Sequence, residues 1–146
     1  MWVAAHVHGW AIQLEPAPSD PIILLPDQVN EAMREAFRET FEREGRLVIQ
    51  TEGMAAILPR GHSPSPLHEI QGVVTAARAE DNVAGVPFRT ITVTVARDDI
   101  DNGGSGDMSI ETTASRSVWK GEWPQPGDSV RGLVWLQARF ERVETA

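Results

Sequence analysis

The chain has no cysteine among its 146 residues. Disulfide bridges, thiolate nucleophiles, zinc fingers and iron–sulfur clusters are therefore excluded. A chain without cysteine also fits a reducing compartment.

Long apolar runs and a leader segment are missing as well. No stretch approaches the roughly 18 consecutive apolar residues that a membrane helix needs. The opening segment MWVAAHVHGWAIQLEP lacks a basic start, and His6, His8 and Gln13 interrupt its apolar run. It does not have the pattern of a signal peptide. We therefore expect a cytoplasmic protein with no membrane partner.

Positive charge is scarce. The chain has 13 basic residues against 21 acidic ones, a formal net charge of −8, and Lys120 is its only lysine. Nucleic-acid binders gain affinity by neutralising phosphates, so this acidity disfavours a nucleic-acid partner. It suits an inhibitor or immunity-type protein that neutralises a basic protein. The preference for arginine over lysine is typical of a GC-rich bacterial genome.

Catalytic signatures are also absent. The sequence contains no G-x-S-x-G, no phosphate-binding P-loop and no G-x-G-x-x-G. We expect a protein that is not an enzyme and that uses no cofactor.

Two groups of residues are weak candidates for metal ligands. His6 and His8 would share one strand face about 7 Å apart, but a site needs further ligands. Asp99 and Asp101 lie in the glycine-rich loop DDIDNGGSGD, which resembles a calcium loop but places Ile110 where the bidentate glutamate belongs. We expect turn chemistry in this loop and no metal at either place.

The N-terminal half predicts strands around one helix. Residues 2–14 alternate, and we expect the face with the larger side chains to meet the core. IILL at 22–25 is predicted as a short buried strand. A helix is predicted over 28–44, with Asp27 as its N-cap and Gly45 after its last turn. The predicted core face of residues 2–14 consists of Trp2, Ala4, His6, His8, Trp10, Ile12 and Leu14.

The linker PRGHSPSP at 59–66 suggests a division into an α/β extension, 1–61, and a β-domain, 62–146. Strands are predicted in the second part at 68–79, 88–98, 108–116 and 129–140, with Ile91, Val93 and Val95 inside. Gly72 and Gly132 lie inside the first and last of these strands. Glycine there is typical of the sharp bends that close a small barrel.

The stretches GVVTAARAEDNVAGVPFRTITVTV and PQPGDSVRG resemble the first two strands and a later strand entry of an OB-fold. The resemblance covers about residues 68–140. It implies a mainly β (α+β) chain, an OB-like small antiparallel barrel with an N-terminal strand and helix extension. OB-folds bind single-stranded nucleic acids, oligosaccharides or proteins, so the resemblance leaves the ligand open.

Three of the five tryptophans lie close together in the sequence, in SVWKGEWPQPGDSVRGLVWLQARF. We expect Trp119 and Trp123 to be exposed in a loop and Trp135 to be covered by the protein itself. An exposed pair could stack bases or sugars. The candidate ligand-binding residues are Trp119, Trp123, Lys120, Arg116 and Arg131.

These patterns favour a non-enzymatic binding or assembly module. A protein partner or self-association is expected, because the first strand and IILL supply sheet edges. The alternatives are the acidic inhibitor or immunity-type protein and a single-stranded nucleic-acid or oligosaccharide binder that uses exposed tryptophans.

Overall fold

The computed structural model describes residues 2–61, 65–97 and 106–143. Strands account for 55% of the described residues and helices for 12%, which confirms the predicted mainly β class. The strands are β1 (Trp2–Pro16), β2 (Ile22–Leu24), β3 (Leu47–Ile49), β4 (Ala56–Pro59), β5 (Leu67–Ala77), β6 (Asp81–Val83), β7 (Val86–Ala96), β8 (Met108–Ser115) and β9 (Ser129–Val143). The helices are α1 (Glu31–Ala36) and α2 (Arg38–Glu44), preceded by a short 3₁₀ turn at Pro26–Gln28.

Strand pairing links five of these strands into a ring, in the order β5, β9, β1, β8 and β7, with β7 pairing back to β5. Only the β1–β8 pair is parallel; the other pairs in the ring are antiparallel. β4 pairs with the first half of β5, from His68 to Gln71, and β6 forms a hairpin with β7.

The ring depends on close backbone approaches at two glycines that the sequence marked as bends. β5 pairs with β9 up to Val73 and with β7 from Val73 onward. A Cβ atom on Gly72 would lie 1.8 Å from the carbonyl oxygen of Thr94. A Cβ atom on Gly132 would lie 2.0 Å from the carbonyl oxygen of Gln13. A side chain at either position would therefore prevent the strands from meeting.

The hydrophobic core fills the ring. Ile91, Val93 and Val95 of β7 are buried, as predicted. Each such side chain contributes about 1.5–3 kcal/mol on leaving water. The other core residues are Leu14, Ile70, Val74, Ile110, Ala114, Trp119, Trp123, Val130 and Val134.

β1 meets the core with the opposite face from the one predicted. Val7 and Ala11 pack against the core, whereas Trp10 is 45% exposed. A β-bulge at Ile12, between the residues paired with Val134 and Leu133, inserts one extra residue. A bulge reverses the alternation beyond it, which is why Leu14 points inward. The predicted face was wrong for residues 6–12, because it was chosen by side-chain size, and right for Leu14, because the inserted residue returns Leu14 to the core side.

Alternate residues of β9 are buried only in the part of the strand that pairs with both β5 and β1. Val130 and Val134 are fully buried. Phe140, which shares a face with Val130 and Val134 by alternation, is 70% exposed. Beyond Trp135 the strand has left β5 and pairs with β1 alone.

Residues Pro18–Glu52 form a compact unit separate from Met1–Ala17 and Gly53–Ala146. The predicted helix is interrupted at Phe37 and begins later than expected: Asn30, not Asp27, caps α1 by accepting a 2.8 Å hydrogen bond from the Met33 amide. Gly45 ends α2 with a φ of 70°, as predicted. IILL is largely exposed, not buried, with Ile22 and Ile23 almost half accessible.

Among the described residues, no helix combines the length and apolar character that crossing a membrane requires.

Candidate functional site

The two tryptophans predicted to be exposed are buried. Trp119 and Trp123 are 4% and 6% exposed and belong to the core. Each indole nitrogen has an acceptor: Trp119 Nε1 donates to the carbonyl oxygen of Glu122 at 2.6 Å, and Trp123 Nε1 donates to Glu80 Oε2 at 2.5 Å. Buried indoles are stable only when this N–H is satisfied. The expectation that they are exposed was therefore wrong, and both pack at the ring instead of facing a ligand.

The basic residues predicted to surround them have contacts of their own. The Arg116 guanidinium lies 4.1 Å from the Trp123 ring centroid and 3.7 Å from Glu80. Arg131, on β9, donates to Glu15 of β1 at 2.7 Å. Lys120 is exposed. Each of the two arginines therefore has a carboxylate partner, Glu80 for Arg116 and Glu15 for Arg131.

The exposed aromatic surface is formed by Trp10 and Trp135, which we call the tryptophan platform. The two residues are direct partners in the antiparallel pairing of β1 with β9. Direct partners project from the same sheet face with Cβ atoms about 5 Å apart. Each is 45% exposed. Trp135 was predicted to be covered, so the roles of the tryptophans are the reverse of those expected.

A row of hydrogen-bonding side chains lies beside the platform. His8 and Gln137 are paired two residues further along the same strands, and His8 also aligns with Glu111 of β8. Gln137 accepts a 3.0 Å bond from Trp10 Nε1, and the His8 ring lies 4.9 Å from the Trp10 ring. These contacts fix the orientation of Trp10 and place polar groups at its edge.

His8 is tied to the neighbouring strand. Its Nε2 lies 2.9 Å from Thr113 Oγ1, and its Nδ1 lies 3.9 Å from Glu111. Burial lowers the pKa of His8; Glu111 acts in the opposite direction, and Arg78 adds to the lowering. The His8 imidazole is therefore neutral at pH 7, so one of its nitrogens can donate and the other can accept a hydrogen bond.

The nearby charged groups are paired. Arg78 forms an ion pair with Glu111, and Arg139 lies 3.1 Å from Glu141. A cavity of about 620 Å³ adjoins this surface, lined by His6, Val7, His8, Glu111, Gln137, Ala138 and Arg139. The platform is thus bordered by polar groups whose charges compensate one another.

Of the two groups of weak metal candidates, the structure describes only His6 and His8. The side chain of His6 is 67% exposed and lies 3.7 Å from Glu141. Within residues 2–61, 65–97 and 106–143, no three histidine or acidic side chains are arranged to hold a metal. Asp99 and Asp101 lie outside the described residues.

The chain matches no family model, no curated protein and no solved structure. The site must therefore be interpreted from its own geometry. The sequence concealed it because the two tryptophans are 125 positions apart (135 − 10) and only the strand register brings them together.

Proposed function

We propose that the chain is a non-catalytic binding module that holds an oligosaccharide against the tryptophan platform. The observation that carries the proposal is the side-by-side exposure of Trp10 and Trp135 on one sheet face. Two adjacent large aromatic side chains in water are costly unless a ligand or partner covers them.

A sugar ring fits both parts of this surface. The C–H face of a pyranose is apolar and flat, so it can leave water against an indole ring. Its hydroxyls need both donors and acceptors at the rim. Gln137, neutral His8 and Glu111, in register with one another two residues from the platform, supply them.

The charges around the platform favour a neutral ligand over a nucleic acid. Single-strand binders combine aromatic stacking with a positive groove that follows the phosphates. Here Arg78, Arg131 and Arg139 each lie beside a carboxylate. A phosphate backbone would have to displace those carboxylates in a chain whose net charge is −8.

We further propose that the ring is an OB-fold whose strands occur in a circularly permuted order. In an OB-fold the first strand pairs with the second and the fourth, and the third runs parallel to the fifth. Taking β5, β7, β8, β9 and β1 as strands one to five reproduces these pairings, including the single parallel pair β8–β1. The surface that OB-folds use for ligands, around strands two and three, then includes Glu111 and Thr113 of β8.

The test is to titrate the protein with neutral trisaccharides while monitoring tryptophan fluorescence and heat. Suitable probes are cellotriose, xylotriose, mannotriose and chitotriose, with a short oligothymidylate as the nucleic-acid comparison. For the trisaccharide that binds, Trp10→Ala and Trp135→Ala should each weaken the affinity about 10- to 100-fold, since an aromatic stack contributes about 1–3 kcal/mol.

Phe140→Ala is the matched control. Phe140 is an exposed aromatic residue on the same strand as Trp135 but on the opposite face, and a trisaccharide is short enough to occupy one platform alone. Its affinity should match that of the wild type. Binding only to the oligothymidylate, or equal losses in all three variants, would contradict the proposal.

A further inference from the structure

The second half of β9 has one unpaired edge. Residues 137–143 pair with β1 on one side. On the other side the pairing with β5 ends at Trp135, and the Leu136 amide donates to the carbonyl oxygen of Pro66 at 2.8 Å. Within the described part of the chain, no backbone hydrogen bond reaches residues 137–143 from that side. We call this segment the free edge of β9.

The hydrogen bond from the Leu136 amide shows which residues of the free edge direct their backbone groups away from β1. Because the backbone groups of successive residues point to opposite sides of a strand, the even-numbered residues direct their N–H and C=O groups away from β1. Ala138, Phe140 and Arg142 therefore present donors and acceptors that have no backbone partner among the described residues. Any strand that adds here must bond to these three residues.

A second copy of the same edge can do so in only a few antiparallel registers, because even residues must face even residues. A twofold axis at Phe140 places Arg139 opposite Glu141 of the other copy, twice. Axes at Arg139, Glu141 or Arg142 place two like charges opposite each other. An axis at Ala138 requires Leu136, whose amide is already bonded to Pro66.

The side chains agree with the register centred on Phe140. Phe140 is 70% exposed, the highest value among the large hydrophobic residues that are exposed in the described chain. At the axis it would lie directly against its own copy, and aromatic cross-strand pairs are among the stabilising ones. Arg139 and Glu141 already lie 3.1 Å apart within one strand, so exchange with the second copy keeps each charge paired.

From these observations we infer that the chain forms a homodimer by antiparallel pairing of the free edges of β9, with the twofold axis at Phe140. Three backbone pairs, each contributing two hydrogen bonds, give about six bonds across the axis. Opposite charges on both sides select this register over its neighbours. The inference is independent of the proposed ligand.

The test is a charge-reversal series analysed by sedimentation equilibrium at concentrations up to several hundred micromolar. The wild type should show a monomer–dimer equilibrium. Arg139→Glu and Glu141→Arg should each weaken the dimer by about 30-fold, because two attractive cross-strand pairs become repulsive. The double variant Arg139→Glu/Glu141→Arg should dimerise as the wild type does.

An equimolar mixture of the two single variants gives the most specific result. In a heterodimer each glutamate of one copy faces an arginine of the other, so the mixture should dimerise although neither variant does so alone. A wild type that stays monomeric throughout, or single variants that dimerise as strongly as the wild type, would overturn the inference.

Two proline substitutions test whether the dimer contact lies on the free edge of β9 or on the edge of β1 that faces away from β9. Ala138→Pro removes an N–H from the free edge of β9 without touching the β1 ladder, and it should abolish the dimer. Ala5→Pro removes an N–H that points away from β9 and should leave the dimer intact. The opposite outcome would place the contact on β1 and refute the assignment. Far-UV circular dichroism of each variant establishes that the fold is retained.

Discussion

At the scale of single residues, His8 is the clearest link between the fold and the solution conditions. It is half-buried beside Trp10 and bonded to Thr113, and its environment disfavours the charged ring. Because burial lowers the pKa in the folded state, the unfolded chain binds this proton more readily than the folded chain.

The stability of the protein should therefore decrease as the pH falls. Above the unfolded pKa of about 6.5, His8 is neutral in both states and its effect on stability is fully present. Between that value and the lower folded pKa, the free energy of unfolding falls with decreasing pH, and below the folded pKa this loss levels off. Urea denaturation from about pH 8 to about pH 5 measures the slope.

His8→Gln should remove part of that slope, because the burial that lowers the pKa of the ring is then absent. Equal pH dependence in the wild type and in His8→Gln would show that the histidine is not the source.

The tryptophans show why residue exposure was hard to predict. Trp119 and Trp123 occur among Gly, Pro and charged residues, a composition typical of an exposed loop. Their burial depends on Glu80 and Glu122 accepting the indole protons, and Glu80 is distant from Trp123 in sequence. Composition describes the segment, but only the tertiary contacts decide which side chains it buries.

At the scale of elements, most strands could be predicted and their irregularities could not. The alternation of β7 gave its buried face correctly, because both edges of that strand are paired and its register is regular apart from one shift near its end. β1 has equally clear alternation, but the bulge at Ile12 reverses its parity. The helix prediction missed the break at Phe37 because apolar spacing alone does not show where a helix is interrupted.

The bend of β5 gives a prediction for one element. Gly72→Ala should destabilise the protein by at least about 3 kcal/mol, because the new methyl group would meet the Thr94 carbonyl and the backbone must move. Chemical denaturation with the wild-type protein as reference measures the loss.

Gly9→Ala is the matched comparison within the ring. Its Cβ atom would lie 3.3 Å from Thr112 Oγ1 and Val134 Cβ, a tight contact that small adjustments relieve. Neither glycine has a positive φ, so the difference reflects space alone. We expect Gly9→Ala to remain within about 1 kcal/mol of the wild type. A loss of stability for Gly72→Ala as small as that for Gly9→Ala would show that β5 can pair with β7 without the close contact between Gly72 and Thr94.

At the scale of the whole molecule, the ring joins the two ends of the sequence. The predicted boundary placed residues 1–61 in an extension, whereas the contacts group Met1–Ala17 with Gly53–Ala146. A linear scan cannot find this arrangement, because the strand that completes the ring precedes the other four in the chain.

The pairing of β1 with β9 predicts that the chain can be reopened elsewhere. Trp2 pairs with Val143, so an Asn-Gly turn between them should connect β9 to β1 as a hairpin. New ends placed between Ala17 and Pro18 then fall at the border of the two compact units. This variant should fold with the same far-UV circular dichroism and unfold cooperatively.

The control opens the chain between Thr112 and Thr113, inside β8, and should fail to fold, since both residues are buried in the ring. Failure of the first variant together with normal folding of the second would contradict the topological assignment.

The pairing of Trp10 with Trp135 also has an optical consequence. We expect indoles at directly paired positions, with Cβ atoms about 5 Å apart, to couple through their transition dipoles and to produce an exciton couplet in the circular dichroism spectrum. Trp119 and Trp123, enclosed by the core, supply a steady background. The molecule therefore carries an intrinsic reporter of its outer surface, whose sign and intensity follow the relative angle of two rings without any added label.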